Sequence, residues 1–334
     1  MTLRAAAAAV RVVPQLDERT VDRVFAVLAG WLMTGVFLDA WAHISGLPDS
    51  FWTPWHGVLY SGLASCGLFL VAARYAHRGA RPILVAGYDL SLVGFAIGAL
   101  GGIADAIWHT VFGVEFDIEA AVSPSHLMIA AGILLVVTGP LRAAWDRRSF
   151  GLPAALGTVY GLSIITVLVD YANPFADAFG AKGSPSLTNV GRIDETSALF
   201  AFVVYAALLS GFLVLLLRRV EIAAPWLGAI AGLNMAAMVW VNGPLHAYAL
   251  GTLFSVALAS AVLIALAATW LRPSRSRPSE LRAFAFLVPA LPYAVYAIAI
   301  ALAFGTVWTP TFWGGLIAMG GLAGLLISAL AIER

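Results

Sequence analysis

Cysteine is almost missing from this chain. Of 334 residues, only Cys66 carries a thiol, which excludes an intramolecular disulfide and every cysteine-based metal motif. Lysine is as scarce: Lys182 stands alone beside 18 arginines. It lies in a polar stretch, so no apolar run offers an amine for a Schiff base. Charge of either sign is sparse, at 11% of residues against about 25% in a soluble domain. The formal net charge is only +1, which leaves no basic field for nucleic acid. The Walker A, dinucleotide-fold glycine, HExxH and GxSxG patterns are all absent, so nothing supports nucleotide binding or nucleotide-driven work. Residues 1–20 hold a short Ala/Val run broken by Arg11; this is not the apolar core of a signal peptide, and the segment reads as a cytoplasmic tail.

What the chain has is apolar length. It is 61% hydrophobic, with a mean hydropathy of +0.90. A membrane crossing needs about 20 apolar residues. Ten candidate spans meet that need, at 21–43, 54–75, 82–111, 123–143, 153–173, 196–218, 223–241, 244–271, 282–305 and 311–331. The expected fold is an all-α, polytopic bundle in a bilayer. Arginines fall in alternate connections: Arg74, Arg78 and Arg81, then Arg142, Arg147 and Arg148, then Arg218 and Arg219, then Arg272, Arg275 and Arg277. Positive charge stays on the cytoplasmic side. Both termini are therefore expected in the cytoplasm of a bacterial-type inner membrane, and tryptophans such as Trp41, Trp108, Trp308 and Trp313 fall at the outer boundary. The third span spaces Gly94, Gly98 and Gly102 four apart, which permits close helix packing.

The spans pair into five outward-pointing hairpins that read as an internal repeat. Two copies are complete. Asp39, His43 and His56 lie in the first, and Asp105, His109 and His126 in the second. Each reads Asp-x-x-x-His, a polar loop, Ser/Thr-Pro-x-His, and a glycine six residues later. The third copy keeps Asp170 but has Leu187 where histidine would stand. The fourth keeps Pro244-Leu245-His246, and the fifth has Phe312 in the histidine place. Residues 21–143 are thus expected to carry the site, and 144–334 to act mainly as scaffold, with His246 and Asp170 as possible pocket-lining residues.

Aspartate and histidine four apart share one helix face, and a short hairpin brings the second histidine to them. Four imidazoles and two carboxylates form a donor set suited to Zn, Cu or Fe. If the hairpins pack side by side, all six share one pocket. Ionisable residues at membrane depth are costly, by about 2.5–3.5 kcal/mol each, and are functional by default. Glu119, and after it Glu115, lie between His109 and His126, the segment that is four residues longer than in the first copy, and are the expected catalytic acid or base. The leading expectation is a membrane metalloenzyme, hydrolytic or oxidative, acting on an apolar or lipid-like substrate from the extracytoplasmic face. The alternatives are a transporter or channel for a metal ion, proton or small solute, with Asp89 as an inward stepping stone, and a non-catalytic assembly protein. Topology is open to direct test. Asp117→Cys should react with a membrane-impermeant maleimide added outside intact cells, while Cys66, inside a span, stays unlabelled. Labelling of Asp117→Cys only after the cytoplasmic side is exposed would invert the frame.

Overall fold

Most of the described helices start where the sequence supplies a proline or a capping oxygen. The computed structural model describes residues 17–48, 50–76, 87–113, 117–184 and 191–331. Asp17 caps α1 (Glu18–Ile44) by accepting from the Thr20 amide at 3.0 Å and its hydroxyl at 2.7 Å. Pro54 opens α2 (Pro54–Ala76). After α3 (Asp89–Phe112) the chain turns at Gly113, whose φ is 87°. A short α4 (Asp117–Val122) precedes α5 (Pro124–Val137), whose first turn is capped by the Ser123 hydroxyl. Then come α6 (Gly139–Arg147), α7 (Leu152–Leu168), α8 (Gly191–Arg219), α9 (Ala224–Val241), α10 (Leu250–Leu271), α11 (Pro278–Ala303) and α12 (Pro310–Ala331). Proline fits these starts because its missing N–H would have no helical partner there. Among the described residues there is no strand beyond isolated bridges.

Among the described residues, nine helical segments are long and apolar enough to cross a membrane, with α5 and α6 counted as one. The expected tenth, 153–173, is a helix of 17 residues, about 25 Å at 1.5 Å per residue against a hydrocarbon core of about 30 Å. It ends early because Pro174 disfavours helical backbone at Asn173, and Asp170–Ala172 winds into a 3₁₀ turn instead. The hairpin expectation holds for α1/α2, α3/α5, α9/α10 and α11/α12, each packed along its length. The third pair is open. α7 lies against α9, α1 and α5, while α8 packs on α12 and α11.

The two complete hairpins share a packing register. A Cβ on Gly62 would lie 2.5 Å from the Leu32 Cα, and one on Gly132 would lie 2.6 Å from the Gly98 Cα. Leu32 and Gly98 each stand seven residues before their aspartate. A Cβ on Gly35 would strike Leu59, and one on Gly101 would meet Ile129, again at matching offsets. The glycine that closes each motif is therefore the point where the second helix presses on the first. Gly94 joins the same seam, facing the Gly132 carbonyl.

Two apolar cores follow. One joins α1, α2 and α5 around Phe25, Leu32, Leu63, Cys66 and Ile133. The other fills α7 to α12 around Phe202, Tyr205, Tyr293 and Tyr296. Phe37 and Tyr160 pack against both. Trp308 and Trp313 belong to the second core, being 5% and 6% exposed. Their ring centres lie 4.7 Å apart at a tilt of 57°, and Trp313 meets Phe202 edge-on.

At the end away from the motifs, a polar knot ties the N-terminal helices. Buried Asp22 accepts from the Tyr88 hydroxyl at 2.8 Å and from Arg147. Arg142 donates to the Gly87 carbonyl at 2.9 Å and to the Ser91 hydroxyl at 2.8 Å. Asp89 heads α3 and is exposed. It sits at the helix terminus, because α3 begins seven residues later than the hydropathy run at 82, and it offers no interior stepping stone.

The seam yields a test. Gly132→Val must push α5 off α3, at a cost of about 1–3 kcal/mol for overpacking. It should lower the unfolding temperature in detergent; unchanged stability would mean that the seam is not close-packed.

Candidate metal centres

The six predicted ligands form two groups of three. Asp39, His43 and His56 converge within 4.8 Å of one another, as do Asp105, His109 and His126. The pocket expected to be shared if the hairpins pack side by side resolves into two triads, one per hairpin. The reason is geometric. Each hairpin closes on its own glycine seam, so each second-helix histidine faces its own aspartate.

In the first triad, Asp39 Oδ1 lies 3.8 Å from His43 Nε2 and 3.1 Å from His56 Nε2. In the second, Asp105 stands 3.4 Å from His109 Nε2 and 3.2 Å from His126 Nε2. Donor atoms around a tetrahedral ion with bonds of 2.0–2.1 Å are about 3.3 Å apart. All four distances bracket that spacing. Asp39 Oδ1 and Asp105 Oδ1 are buried and make no hydrogen bond of acceptable geometry, although a histidine nitrogen approaches each. Asp105 as a whole is 1% exposed.

The tautomers sharpen the point. His56 Nδ1 is 3.0 Å from the Ser50 carbonyl, and a carbonyl only accepts, so Nδ1 carries the proton. Thr53 Oγ1 is also 3.0 Å from this nitrogen and gives its own proton to the same carbonyl. His109 Nδ1 likewise faces the Gly113 carbonyl at 3.2 Å. In a neutral ring the Nε2 atoms of His56 and His109 are then lone-pair acceptors aimed at a carboxylate. Acceptors held together in a buried site repel unless a cation, either a proton or a metal ion, sits among them. The carbonyls that fix the ring tautomers are the usual outer partners of metal-binding histidines.

Two histidines and one carboxylate, with room for further ligands, suit a catalytic zinc or a facial-triad iron(II). The triads are neighbours. Tyr60 lies one helical turn after His56, with ring centres 6.1 Å apart; its hydroxyl reaches Asp105 and it stands in the field of Asp39. Sequence reading passed over Tyr60, although its spacing of four from His56 was the available signal. A cavity of about 370 Å³ joins the triads on another side. Asp39, His43, His126 and Asp170 contribute its polar atoms, and Val36, Leu59, Ile129, Ile133 and Ile164 contribute apolar wall. Ile118 and Ala121 bring α4 over it.

The remaining predicted residues fall in different places. Asp170 does line the cavity, in the connection beyond α7, where burial pushes its carboxyl up to about 7 despite a 2.9 Å hydrogen bond from Asn242. His246 does not line it. In α2 and α5 the proline is the first helical residue and the histidine the third, but Pro244 opens no helix, and α10 starts only at Leu250. His246 is consequently buried against the Ala176 carbonyl at 3.2 Å, with its imidazole held below the usual value by burial. Glu119 lies on α4, with its side chain outside the described residues, and Glu115 falls outside them altogether.

Two independent triads predict metal stoichiometry. Protein purified without chelator should carry up to two ions per chain by elemental mass spectrometry. His43→Ala and His109→Ala should each remove one, and the double variant both. Loss of all metal from either single variant would indicate one shared centre. No protein-family model matches the chain, and neither does any curated protein or solved structure.

Proposed function

We propose that this protein is an integral membrane metalloenzyme that acts on an apolar or lipid-like substrate. The observation that carries the reading is the junction of two 2-His-1-Asp triads with one largely apolar cavity. The arginine distribution argues that this end faces the extracytoplasmic side. A bound zinc ion would supply an activated water for hydrolysis, and a bound iron would supply oxygen activation.

The chain's own residues divide the remaining work. Asp39 and Asp105 would each supply the anionic ligand that completes a triad with two imidazoles. Ser50, Thr53 and Gly113 fix ring orientation through Nδ1. Wall residues such as Ile129 and Ile164 exclude water and receive an acyl or isoprenoid-like chain by burial, at about 0.8 kcal/mol per methylene. Asp170, a carboxyl poised near neutrality, is the described group best placed to move a proton inside the cavity. Glu119 and Glu115 keep that role as alternatives on the loop side.

Transport is the less supported reading. Below the triads the described interior of α1 and α2 is apolar, through Leu32, Met33, Leu63 and Leu70, and of that core's buried side chains only the Cys66 thiol and the Met33 thioether are soft metal ligands. Proteoliposomes separate the two. With total lipid extract as substrate, metal-loaded protein should change the lipid profile seen by mass spectrometry. His126→Ala and the chelated protein should not. Accumulation of zinc or iron inside the vesicles, with no lipid or added apolar ester or alkane converted, would overturn the enzyme reading.

A further inference from the structure

The opposite end of the bundle holds a second, chemically different cavity. The connections α6–α7, α8–α9 and α10–α11 converge there around about 950 Å³. Arg148, Arg218, Arg219, Arg272 and Arg275 line it, against one carboxylate, Glu221. Five positive charges face one negative. The helix C-termini that meet at this point offset about half a charge each, and the cavity stays positive.

Two features separate this group from arginines merely kept on one side of a membrane. The first is pairing. Arg142 and Arg147 on the same side are tied to carbonyls, hydroxyls and carboxylates. Among the described residues none of the five cavity arginines makes an ion pair. Arg219 instead lies over the Trp145 ring at 5.6 Å, which holds the guanidinium at the level of an interfacial indole. The second is backbone conformation. Arg148 and Arg272 have φ of 50° and 49°, and they are the only described non-glycine residues with positive φ. Each follows the last turn of its helix, α6 or α10. Glycine ordinarily takes that left-handed position, because a Cβ is disfavoured there. Both exceptions are arginines, and both line this cavity.

We propose that this cavity binds a phosphate-bearing anion, through guanidinium groups that match its oxygens in pairs. The ligand is a phosphodiester or phosphomonoester, either the headgroup of an anionic lipid in the adjoining leaflet or a soluble phosphate compound. Basic pockets between spans at a membrane surface are suited to such headgroups. The cavity is far from the metal triads, and the inference stands whether or not they are catalytic.

The test uses the full chain in neutral detergent. Unfolding temperature and native mass spectra are recorded with phosphatidylglycerol, with phosphatidylcholine, and with inorganic phosphate against an equal ionic strength of chloride. Stabilisation and retained adducts with phosphatidylglycerol alone identify a lipid headgroup. Stabilisation by inorganic phosphate identifies a soluble ligand. Each arginine should be worth about fivefold in affinity, so Arg148→Gln/Arg219→Gln/Arg275→Gln should weaken binding by roughly a hundredfold. If that variant does not fold, Arg275→Gln alone, in an exposed turn, should still show the single-step loss. Arg74→Gln, on exposed α2 surface, should bind as wild type. No stabilisation or adduct with either phosphate source, or binding undiminished in the cavity variants, would overturn the proposal.

Discussion

Close approach of paired helices is the constraint on which the rest depends. Backbones that meet at Gly62 and Leu32, and at Gly132 and Gly98, set where the second helix of each hairpin begins relative to the end of the first. That distance decides whether a histidine two residues after a proline reaches an aspartate on the neighbouring helix. In a bilayer no hydrophobic force draws helices together, and packing of small residues supplies much of the association. The glycine six positions after His56 or His126 is therefore as much a part of the centre as the histidine.

Burial then turns geometry into chemistry. Asp105 has almost no access to solvent, and the neighbouring His109 imidazole is fixed by the Gly113 carbonyl in the tautomer that presents a lone pair. Such an arrangement is unfavourable without a positive charge at its middle. At the far end the cavity arginines are mostly exposed, and it is their uncompensated charge that makes them attractive to anions. The two ends of the molecule carry complementary problems: excess acceptors at one, excess donors at the other. Between them lies an apolar interior of leucine, methionine and aromatic side chains.

Much of this was legible in the chain itself. Runs of about 20 apolar residues have few stable alternatives to membrane helices, because a bilayer satisfies no backbone polar groups. The Asp-x-x-x-His spacing needs only helical periodicity to place both groups on one face, and Pro-x-His needs only that proline start the next helix. Those local rules are why Asp39, His43 and His56 come together, and Asp105, His109 and His126 likewise. Where a local rule failed, the failure has a local cause. Pro244 stands in a turn, so His246 points into the protein; Pro174 truncates the fifth apolar segment.

Tertiary packing alone decided the rest. Sequence spacing could not separate one six-ligand pocket from two triads, since that depends on which helix pairs form seams and what lies between them. Tyr60 reaches the second triad across the approach of α2 to α3, and Ile164 and Asp170 reach the cavity from α7 and the connection beyond it, which pack on α1 and α5 by contact and not as a hairpin. The opening of α7 from α8 likewise follows from long-range choice of partner. The basic cavity depends on three connections, remote in sequence, ending at one place. Periodicity and punctuation act over a few residues and are written in the chain; the meeting of distant helices is a property of the packed bundle.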